Sequence, residues 1–424
     1  MWYNSRIICG RLRPSQTDFE VKMKNYEVAV LGGGFSGLVS AIILSEFFGG
    51  ENVLVLEKND RVGKKILATG NGRGNVTNSS VSAENYHSSG VMTDVANTLE
   101  KYGNKSIIAF FRSLGVPVTA DGDRIYPASL QANSLLDSMR AKLEYLKTDI
   151  KTNAEGLKID CERGRYVIRT ANGEFAAKRV VFATGGKAGK QYGTDGSAFE
   201  ILKEHGVKIT PLSPAIVQLK TETEWIKGLK GLKEKALVTA YDGERPLKSF
   251  VGDVLFTDYG VSGNAAFYLS SYLVGAKDPQ ISISFTGMEQ TELADFLKEK
   301  IASLPYVAAD DVLSGVINKQ IGKAIVKRSG VKIADERSME RIARVAKNFG
   351  LKVAGTLGFD YAQVTRGGVA AEELGNGFEL KKMPGFYVAG EATDVDGDCG
   401  GYNLQWAYSS ARAVCDKIIA EAEQ

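Results

Sequence analysis

The chain has 424 residues, 44% of them apolar and 24% charged, which is the composition of a globular protein with two or three structural units. Its formal net charge of +3 gives no overall electrostatic reason to bind nucleic acid or a membrane, and no stretch approaches the roughly 18 apolar residues of a membrane span. The four cysteines form no CxxC pair, so we predict no metal site and a reducing, cytoplasmic location.

The first predicted strand follows an extension, residues 1–23, that shows no clear periodicity and that we expect to lie outside the fold. Residues 26–31 form an apolar run typical of a buried parallel strand. Glycines with G-x-G-x-x-G spacing come next, at Gly32, Gly34 and Gly37. This spacing allows a tight turn, a close approach to a pyrophosphate, and packing of the following helix on the strand.

A helix is predicted over 36–48, and its positive N-terminal end, which begins at Ser36, would point at the phosphates of a dinucleotide. A second strand, 52–56, ends at Glu57, 20 residues after Gly37, where a carboxylate that binds ribose hydroxyls is expected. The charge of Glu57 disfavours the phosphorylated ribose of NADP. The pattern predicts a dinucleotide site but leaves FAD and NAD open, and its alternative is a glycine-rich turn in an unrelated α/β domain.

Three further segments favour FAD, namely 61–78, 178–186 and 385–404, although an ordinary loop is the alternative for each. A strand that ends in small residues lets a cofactor lie against the backbone. A helix that begins at a glycine pair would favour negative charge on a flavin. The candidate cofactor-binding residues in and near these segments are Lys58, Lys65, Thr69, Gly70, Asn71, Asn75, Thr77, Asn78, Ala183, Thr184, Gly185, Gly390, Glu391, Gly401, Asn403 and Leu404.

Seven strings spread over 26–412 resemble one family: LGGGFSGL, GKKILATGNGRGNVTN, DRIYPAS, VVFATGG, DVLFTDYGVSGNAA, VTRGGV and GEATDVDGDCGGYNLQWAYSS. They are similar to the YhiN/BaiN (HI0933-like) family of NAD(P)/FAD-dependent oxidoreductases, also called aminoacetone-oxidase-like. The resemblance implies non-covalent FAD in an α/β fold, with a two-dinucleotide-fold (Rossmann-like) domain and an inserted β-barrel-like and helical unit. The chain departs from the family at Gly74, where cysteine is frequent, and over 187–193.

The predicted FAD-binding domain is discontinuous and comprises 24–190 and 352–424. The insertion is expected to contain a β-rich unit, 191–265 with 331–351, and a helical unit, 266–330. The β-rich assignment depends on strand-like runs at 236–241 and 249–256. The helical assignment depends on helix-like patterns at 291–303 and 308–326.

Flavin would carry the redox chemistry, and the protein would supply position, electrostatics and access. Only one dinucleotide fingerprint is visible, so we expect NAD(P)H, as a possible donor, to bind transiently in the substrate cleft. Cys399 and Tyr402 are the candidate catalytic proton donors beside a hydride, with a structural role as the alternative for Cys399. The two histidines, His87 and His205, give little support to a metal-centred or Ser–His mechanism.

Three hypotheses remain for the reaction. The preferred one is reduction of an activated C=C bond, which the family resemblance connects to a uracil in ribosomal RNA (dihydrouridine formation) and to steroid-type intermediates. An amine or small-molecule oxidase that uses O2 is the second, and a flavin-bound protein without enzymatic activity is the third. An RNA substrate would need a cationic face. The candidate face over 319–332 consists of Lys319, Lys323, Lys327, Arg328 and Lys332, and further lysines lie at 227–235. The alternative is that these lysines form an ordinary solvated helix surface.

Overall fold

The computed structural model describes residues 24–90, 92–155, 158–333 and 335–424, so the predicted extension 1–23 lies outside the described residues. The strands are β1 (Asn25–Leu31), β2 (Val53–Leu56), β3 (Thr77–Asn78), β4 (Tyr86–His87), β5 (Val118–Asp121), β6 (Arg124–Pro127), β7 (Asp149–Lys151), β8 (Lys158–Glu162), β9 (Arg165–Thr170), β10 (Gly173–Phe182), β11 (Ser213–Ala215), β12 (Leu219–Thr221), β13 (Lys233–Asp242), β14 (Arg245–Phe256), β15 (Gly260–Ser262), β16 (Pro279–Ser284), β17 (Phe349–Thr356), β18 (Val364–Arg366), β19 (Phe386–Val388) and β20 (Asp396–Gly397). The helices are α1 (Phe35–Phe48), α2 (Met92–Tyr102), α3 (Asn104–Ser113), α4 (Ala132–Tyr145), α5 (Ala198–Glu204), α6 (Asn264–Ser270), α7 (Gln290–Ser303), α8 (Lys319–Ser329), α9 (Glu336–Lys347) and α10 (Tyr402–Ala422).

The central sheet has a parallel core in the order β7–β2–β1–β10, and β19 pairs in parallel with the C-terminal half of β10. The N-terminal half of β10 pairs instead with β9, and β8 follows, both antiparallel. All four residues of β2 are buried apolar side chains, as expected for a parallel strand that is covered on both faces. The α/β fold with a Rossmann-like unit is confirmed.

Successive residues of β1 point to opposite faces of this sheet. Val28 and Val30 belong to a core that contains the buried faces of α1 and α10. Ala29 and Leu31 belong to a second core, which α5 covers. The first core is filled by residues of α1, near the start of the chain, and of α10, near its end. Packing of these two helices therefore brings the glycine turn and the segment before α10 together.

The inserted part contains a closed barrel of six antiparallel strands in the order β12–β15–β14–β13–β16–β17. Its interior is apolar, and α7, α8 and α9 contribute to the same core. Along β13, the buried residues Ala236, Val238 and Ala240 alternate with residues that face outward, which is the periodicity of a strand with one buried face. The inserted barrel and helices are thus present as predicted.

The strands cross the predicted unit boundaries at two places. The strand β16 belongs to the barrel although it lies within 266–330, which was predicted to be helical. The strand β17 begins in the predicted β-rich segment 331–351 and ends beyond its boundary. The segment 331–351 also contains the helix α9. Short strands that pair with distant partners give little local signal, whereas the helix pattern at 291–303 is local and coincides with α7.

We expect Phe256→Ala to lower the free energy of unfolding by about 3–5 kcal/mol, because the side chain is fully buried in the barrel core and its loss would leave a cavity. Urea unfolding would measure this change. Val251→Ala is the matched control on the same strand, since Val251 is 58% exposed. Equal effects of the two substitutions would contradict the description of the barrel interior.

Candidate active site

A cavity of about 1270 Å³ lies where β1, β2 and β10 end, and it extends to the barrel. The carboxyl ends of parallel strands are the usual place for a ligand in such sheets. Most of the residues predicted from the sequence line this one cavity, namely Gly32, Gly34, Ser36, Glu57, Lys58, Lys65, Thr69, Gly70, Asn71, Asn75, Ala183, Thr184, Gly185, Glu391, Cys399, Gly401, Asn403 and Leu404.

The glycine turn brings the backbone to the cavity surface. Gly32 has a φ of +102°, and a Cβ there would lie 2.5 Å from the carbonyl oxygen of Ala183, so both conformation and space require glycine. Gly37 does not line the cavity, and a Cβ there would overlap the carbonyl oxygen of Gly32. A Cβ on Gly34 would meet no protein atom within 4 Å. Gly34 therefore leaves space that a ligand can occupy.

No side chain caps the N-terminus of α1, which begins directly after Gly34 and contributes Phe35 and Ser36 to the cavity wall. The first backbone N–H groups of a helix have no intrahelical partner and carry partial positive charge. This arrangement fits the diphosphate of a dinucleotide.

Glu57 is 7% exposed and is held by three hydrogen bonds at the end of β2. Its Oε2 atom accepts from the backbone N–H of Gly33 at 2.8 Å. Its Oε1 atom accepts from the backbone N–H and side-chain amide of Asn59 at 2.8 and 2.6 Å. A carboxylate has about four acceptor sites, so one remains for a ligand hydroxyl, as the prediction of a ribose contact requires.

Two buried polar atoms in the cavity wall have no hydrogen-bond partner among the described residues. They are Oδ1 of Asn75 and Oγ1 of Thr184. Buried polar atoms are nearly always satisfied, so such exceptions indicate a missing partner. A ligand with polar edges, such as a flavin nucleotide, would provide it, and the residues present therefore fit FAD.

Thr77 and Asn78 do not line the cavity, in contrast to their prediction as cofactor-binding residues. Thr77 Oγ1 donates to Oε1 of Gln405 at 2.6 Å, and Asn78 Nδ2 donates to the carbonyl oxygen of Gly400 at 3.1 Å. Both side chains fix the start of α10. Gly401 begins that helix with a φ of +98°, and a Cβ there would lie 2.5 Å from the carbonyl oxygen of Thr77.

Gly390 also lies behind the cavity wall. Its N–H donates to Ser410 Oγ at 2.9 Å, and a Cβ would lie 2.5 Å from Ser36 Oγ, so it packs the end of β19 against α1. Asn403 lines the cavity, but its side-chain amide is bonded to the backbone of Gly397. Its Oδ1 atom accepts from the N–H of Gly397 at 2.8 Å, and its Nδ2 atom donates to the carbonyl oxygen of Gly397 at 2.7 Å. Both residues thus support the wall.

The lysines predicted to contact the cofactor have carboxylate partners. Lys65 Nζ lies 2.7 Å from Glu391 Oε2, and Lys58 Nζ lies 2.8 Å from Asp195 Oδ2. The other carboxylate oxygen of Glu391 accepts from the backbone N–H of Thr365 at 2.9 Å. Backbone N–H groups are consequently the principal donors that remain for a diphosphate in this part of the cavity.

The two predicted proton donors differ in position. Cys399 lines the cavity, and burial raises the pKa of its thiol, although the positive charge of Arg124 acts against this. Tyr402 is not among the cavity-lining residues, and its ring packs edge-on against Tyr86. Burial raises the pKa of Tyr402 to about 12. The structure thus favours Cys399 over Tyr402 as a group that can reach a ligand.

Sequence reasoning missed the barrel-side wall of the cavity. Its apolar members are Ile216, Leu255, Phe267 and Val364. They come from four separate segments, namely the residue after β11, β14, α6 and β18, which only the folded chain brings together. Arg124 and Tyr126 of β6 also line the cavity, within the string DRIYPAS.

The candidate cationic face on α8 is partly neutralised. Lys319 and Lys323 lie 3.5 and 3.9 Å from the carboxylate of Asp311. Arg328 turns inward, where its guanidinium lies 5.3 Å from the ring centroid of Trp225. Lys327 and Lys332 are exposed. The lysines at 227–235 include two further carboxylate pairs, Lys230–Asp258 and Lys233–Asp253.

The histidines have structural partners. Nε2 of His205 lies 2.9 Å from the carbonyl oxygen of Ile159, and Nε2 of His87 lies 3.0 Å from Oδ1 of Asp398. Within the ranges that the structure describes, no group of His, Cys, Asp and Glu is arranged to hold a metal ion. In the same ranges, none of the helices combines the length and apolar character needed to cross a membrane.

We expect Gly34→Val to abolish FAD binding while leaving the fold intact, because the new side chain enters the cavity and meets no protein atom. Absorbance of the purified protein gives the flavin content, and thermal unfolding of the apoprotein tests the fold. Gly287→Val is the control, since Gly287 is exposed and equally free of neighbours. A Gly34→Val protein with a full complement of FAD would contradict this assignment.

Comparisons with known proteins agree with the assignment of the cavity to a dinucleotide cofactor. Residues 26–417 match the family described as HI0933-like protein Rossmann domain. The chain is 35% identical to the 3-dehydro-bile acid delta(4,6)-reductase of Clostridium scindens, over 90% of this chain and 96% of that protein. It is 25% identical to the ribosomal RNA dihydrouridine synthase of Escherichia coli, over 94% and 99% of the two chains.

Solved structures share the fold. The 3-ketosteroid-delta4-(5alpha)-dehydrogenase of Rhodococcus jostii has a TM-score of 0.51 at 15% identity and covers 96% of this chain, with 99% of its own chain matched. The 3-ketosteroid delta1-dehydrogenase of Sterolibacterium denitrificans also has a TM-score of 0.51, at 13% identity, with 94% and 100% of the two chains covered. The chain therefore belongs to the HI0933-like family and is an FAD-dependent oxidoreductase.

Proposed function

We propose that the protein reduces a C=C bond that is conjugated to a carbonyl group, with electrons from NAD(P)H. The observation that carries this proposal is the composite cavity, which joins a dinucleotide-type wall to a barrel-side wall that contains the apolar residues Ile216, Leu255 and Phe267. Its volume of about 1270 Å³ exceeds the roughly 300–1,000 Å³ of a pocket for one small ligand, so a substrate has room beside the cofactor.

We assign the cofactor to the sheet side of this cavity. The N-terminus of α1, with Gly34 and Ser36, would hold the diphosphate, and Glu57 the ribose. The unpartnered oxygens of Asn75 and Thr184 would face the polar edge of the ring system. FAD in its reduced form supplies a hydride, and the protein determines where that hydride can go.

The substrate is assigned to the barrel side. Ile216, Leu255 and Phe267 give this wall a surface suited to a flat apolar skeleton. The 35% identical relative is named for reduction of a dehydro-bile acid, which has a skeleton of this kind. A polycyclic enone is therefore the substrate class that we propose.

The proposed reaction adds a hydride to the β-carbon and a proton to the α-carbon, and the C=C double bond becomes a single bond. Cys399 is the proposed proton donor because it lines the cavity and packs against Ile216 and Val364 on the barrel side, where the substrate is assigned. Burial keeps the pKa of this thiol above its ordinary value, so the thiol retains its proton at neutral pH.

A uracil in ribosomal RNA is the second candidate substrate, since relatives at 25% identity are named as ribosomal RNA dihydrouridine synthases. Its reducible bond is also conjugated to a carbonyl group. An RNA would require cations that are free to bind phosphates, and carboxylates already neighbour several of the candidate lysines. This observation ranks the RNA substrate below the apolar enone.

Anaerobic rapid mixing tests the reaction directly. We expect NADH or NADPH to bleach the flavin, and a 4-ene-3-oxo or 4,6-diene-3-oxo bile acid to restore its absorbance, with a mass increase of two hydrogens in the product. Reoxidation by a ribosomal RNA fragment and not by the enone would favour the uracil alternative. Bleaching by aminoacetone but not by NAD(P)H would support the oxidase alternative, and flavin that no donor reduces would support a binding protein.

We expect Cys399→Ala to slow the reoxidation of the flavin by the enone by about 10²–10⁴-fold, because a positioned proton donor contributes this much. Bleaching by NAD(P)H should not change, since it needs no proton from the protein. Cys161→Ala is the control, because Cys161 is exposed on the surface. Unchanged reoxidation in Cys399→Ala would remove the thiol from the mechanism.

The pH dependence of flavin reoxidation is a second test of Cys399 as the proton donor. A donor must be protonated, so its rate is lost only as the pH rises through its pKa. Burial raises that pKa above the ordinary thiol value. The reoxidation rate of the unmodified protein should therefore remain constant from pH 7 to beyond the ordinary thiol pKa of about 8.5 and fall only above it.

A further inference from the structure

Arg124 is a cation in the cavity wall that has no partner within the part of the chain that the structure describes. It lies on β6 two residues before Tyr126, so the two side chains point to the same face of the strand, and both line the cavity. Its guanidinium forms no ion pair and no side-chain hydrogen bond with any residue in the described ranges. Since a guanidinium has five N–H donors and stays protonated, this site can bind an anionic or carbonyl oxygen.

The neighbouring arginine shows the contrast. Arg73 also lines the cavity, but its guanidinium lies 2.9 Å from Asp121 and 4.2 Å from the ring centroid of Tyr126. Its charge is thus already compensated. Asp123, which precedes Arg124 in the chain, accepts a hydrogen bond from Ser79 Oγ at 2.9 Å and forms no ion pair with Arg124.

Arg124 acts on the region where the proton donor lies. Burial raises the pKa of Cys399 and of Tyr402, and the positive charge of Arg124 lowers both. Arg124 and Cys399 line the same cavity, whose barrel-side wall also contributes the apolar residues Ile216, Leu255 and Phe267. Charges interact more strongly where water is excluded.

We propose that Arg124 binds the carbonyl oxygen of the substrate and stabilises the negative charge that develops there during reduction. This inference rests on the proposed function and adds a residue that polarises the substrate. When hydride adds to the β-carbon, the electron pair of the C=C bond moves toward the carbonyl and forms an enolate oxygen next to the guanidinium. A proton from Cys399 then forms the C–H bond at the α-carbon and restores the carbonyl.

The charge balance of the cavity supports this role. An enolate carries one negative charge, and an apolar wall alone would oppose its formation. A preorganised donor at a developing oxyanion is worth about 10²–10³-fold in rate. Because no carboxylate of the described residues pairs with Arg124, its charge is available to the substrate, unlike the charges of Lys65 and Lys58.

The test uses the FAD-loaded variants Arg124→Met and Arg124→Lys, with Arg245→Met as the control because Arg245 is exposed at the start of β14. We expect Arg124→Met to slow reoxidation by the enone about 10²–10³-fold. The lysine variant should be intermediate because it keeps the charge and loses the planar fork. Bleaching by NAD(P)H should be the same in all of them.

A second readout does not depend on turnover. A steroid with a phenolic A ring, such as estradiol, places a titratable oxygen where the enolate would form, and its ionisation in the complex can be followed by ultraviolet absorbance. The pKa of the bound phenol should be about 1–3 pH units higher in Arg124→Met than in the unmodified protein, because an opposite charge favours the phenolate by this amount.

The outcomes separate the two proposals. An unmodified protein that reduces no enone would end the proposed function. An unmodified protein that reduces the enone, together with an Arg124→Met variant of equal rate and equal phenol pKa, would overturn only the role of Arg124.

Discussion

The cavity depends on a single constraint, namely that two pairs of segments far apart in the sequence approach each other through their backbones. The turn at Gly32 meets the end of β10 at Ala183, and the start of α10 at Gly401 meets β3 at Thr77. No side chain fits at either contact. At these contacts the wall presents peptide groups, whose N–H donors have fixed directions. We therefore expect a dinucleotide to be bound by shape and backbone polarity more than by side-chain charge.

Buried carboxylates hold the segment before α10, residues 396–401, in place. Arg366 forms a bidentate pair with Asp396, at 2.7 and 3.0 Å, and the carboxylate of Asp398 is bonded to His87 and Tyr272 at 3.0 and 3.2 Å. Both carboxylates are about 1% exposed. A buried carboxylate without such partners would be costly, so these bonds fix the loop that leads to Cys399. Arg124, in contrast, lines the cavity and has no charged partner among the residues that the structure describes, so we propose it as the site for a substrate oxygen.

The parts of this architecture that could be predicted from the sequence are those with a local cause. The glycine spacing, the acidic end of β2 and the glycine pair before α10 each lie within a short segment, and the structure brings them to one cavity. The closure of the barrel, including β16, depends on pairing between distant strands and gives no comparable signal. The side chains of Thr77 and Asn78 bond the start of α10, and the sequence could not show this for a related reason, because their motif identifies a contact region without showing which way a side chain faces.

The two walls of the cavity are built on different principles, and this has a consequence for specificity. A side chain at Gly32 or Gly401 in the backbone-built wall would disturb the fold, because its Cβ would lie 2.5 Å from a carbonyl oxygen. The barrel-side wall includes side chains such as Ile216, Leu255 and Phe267, whose size can change while the backbone pairing of β14 with β15 is kept. Hydride chemistry on a carbonyl-conjugated C=C bond needs only the cofactor, an oxyanion donor and a proton donor. Substitutions on the barrel side can therefore select among substrates of very different shape without any change in the reaction itself.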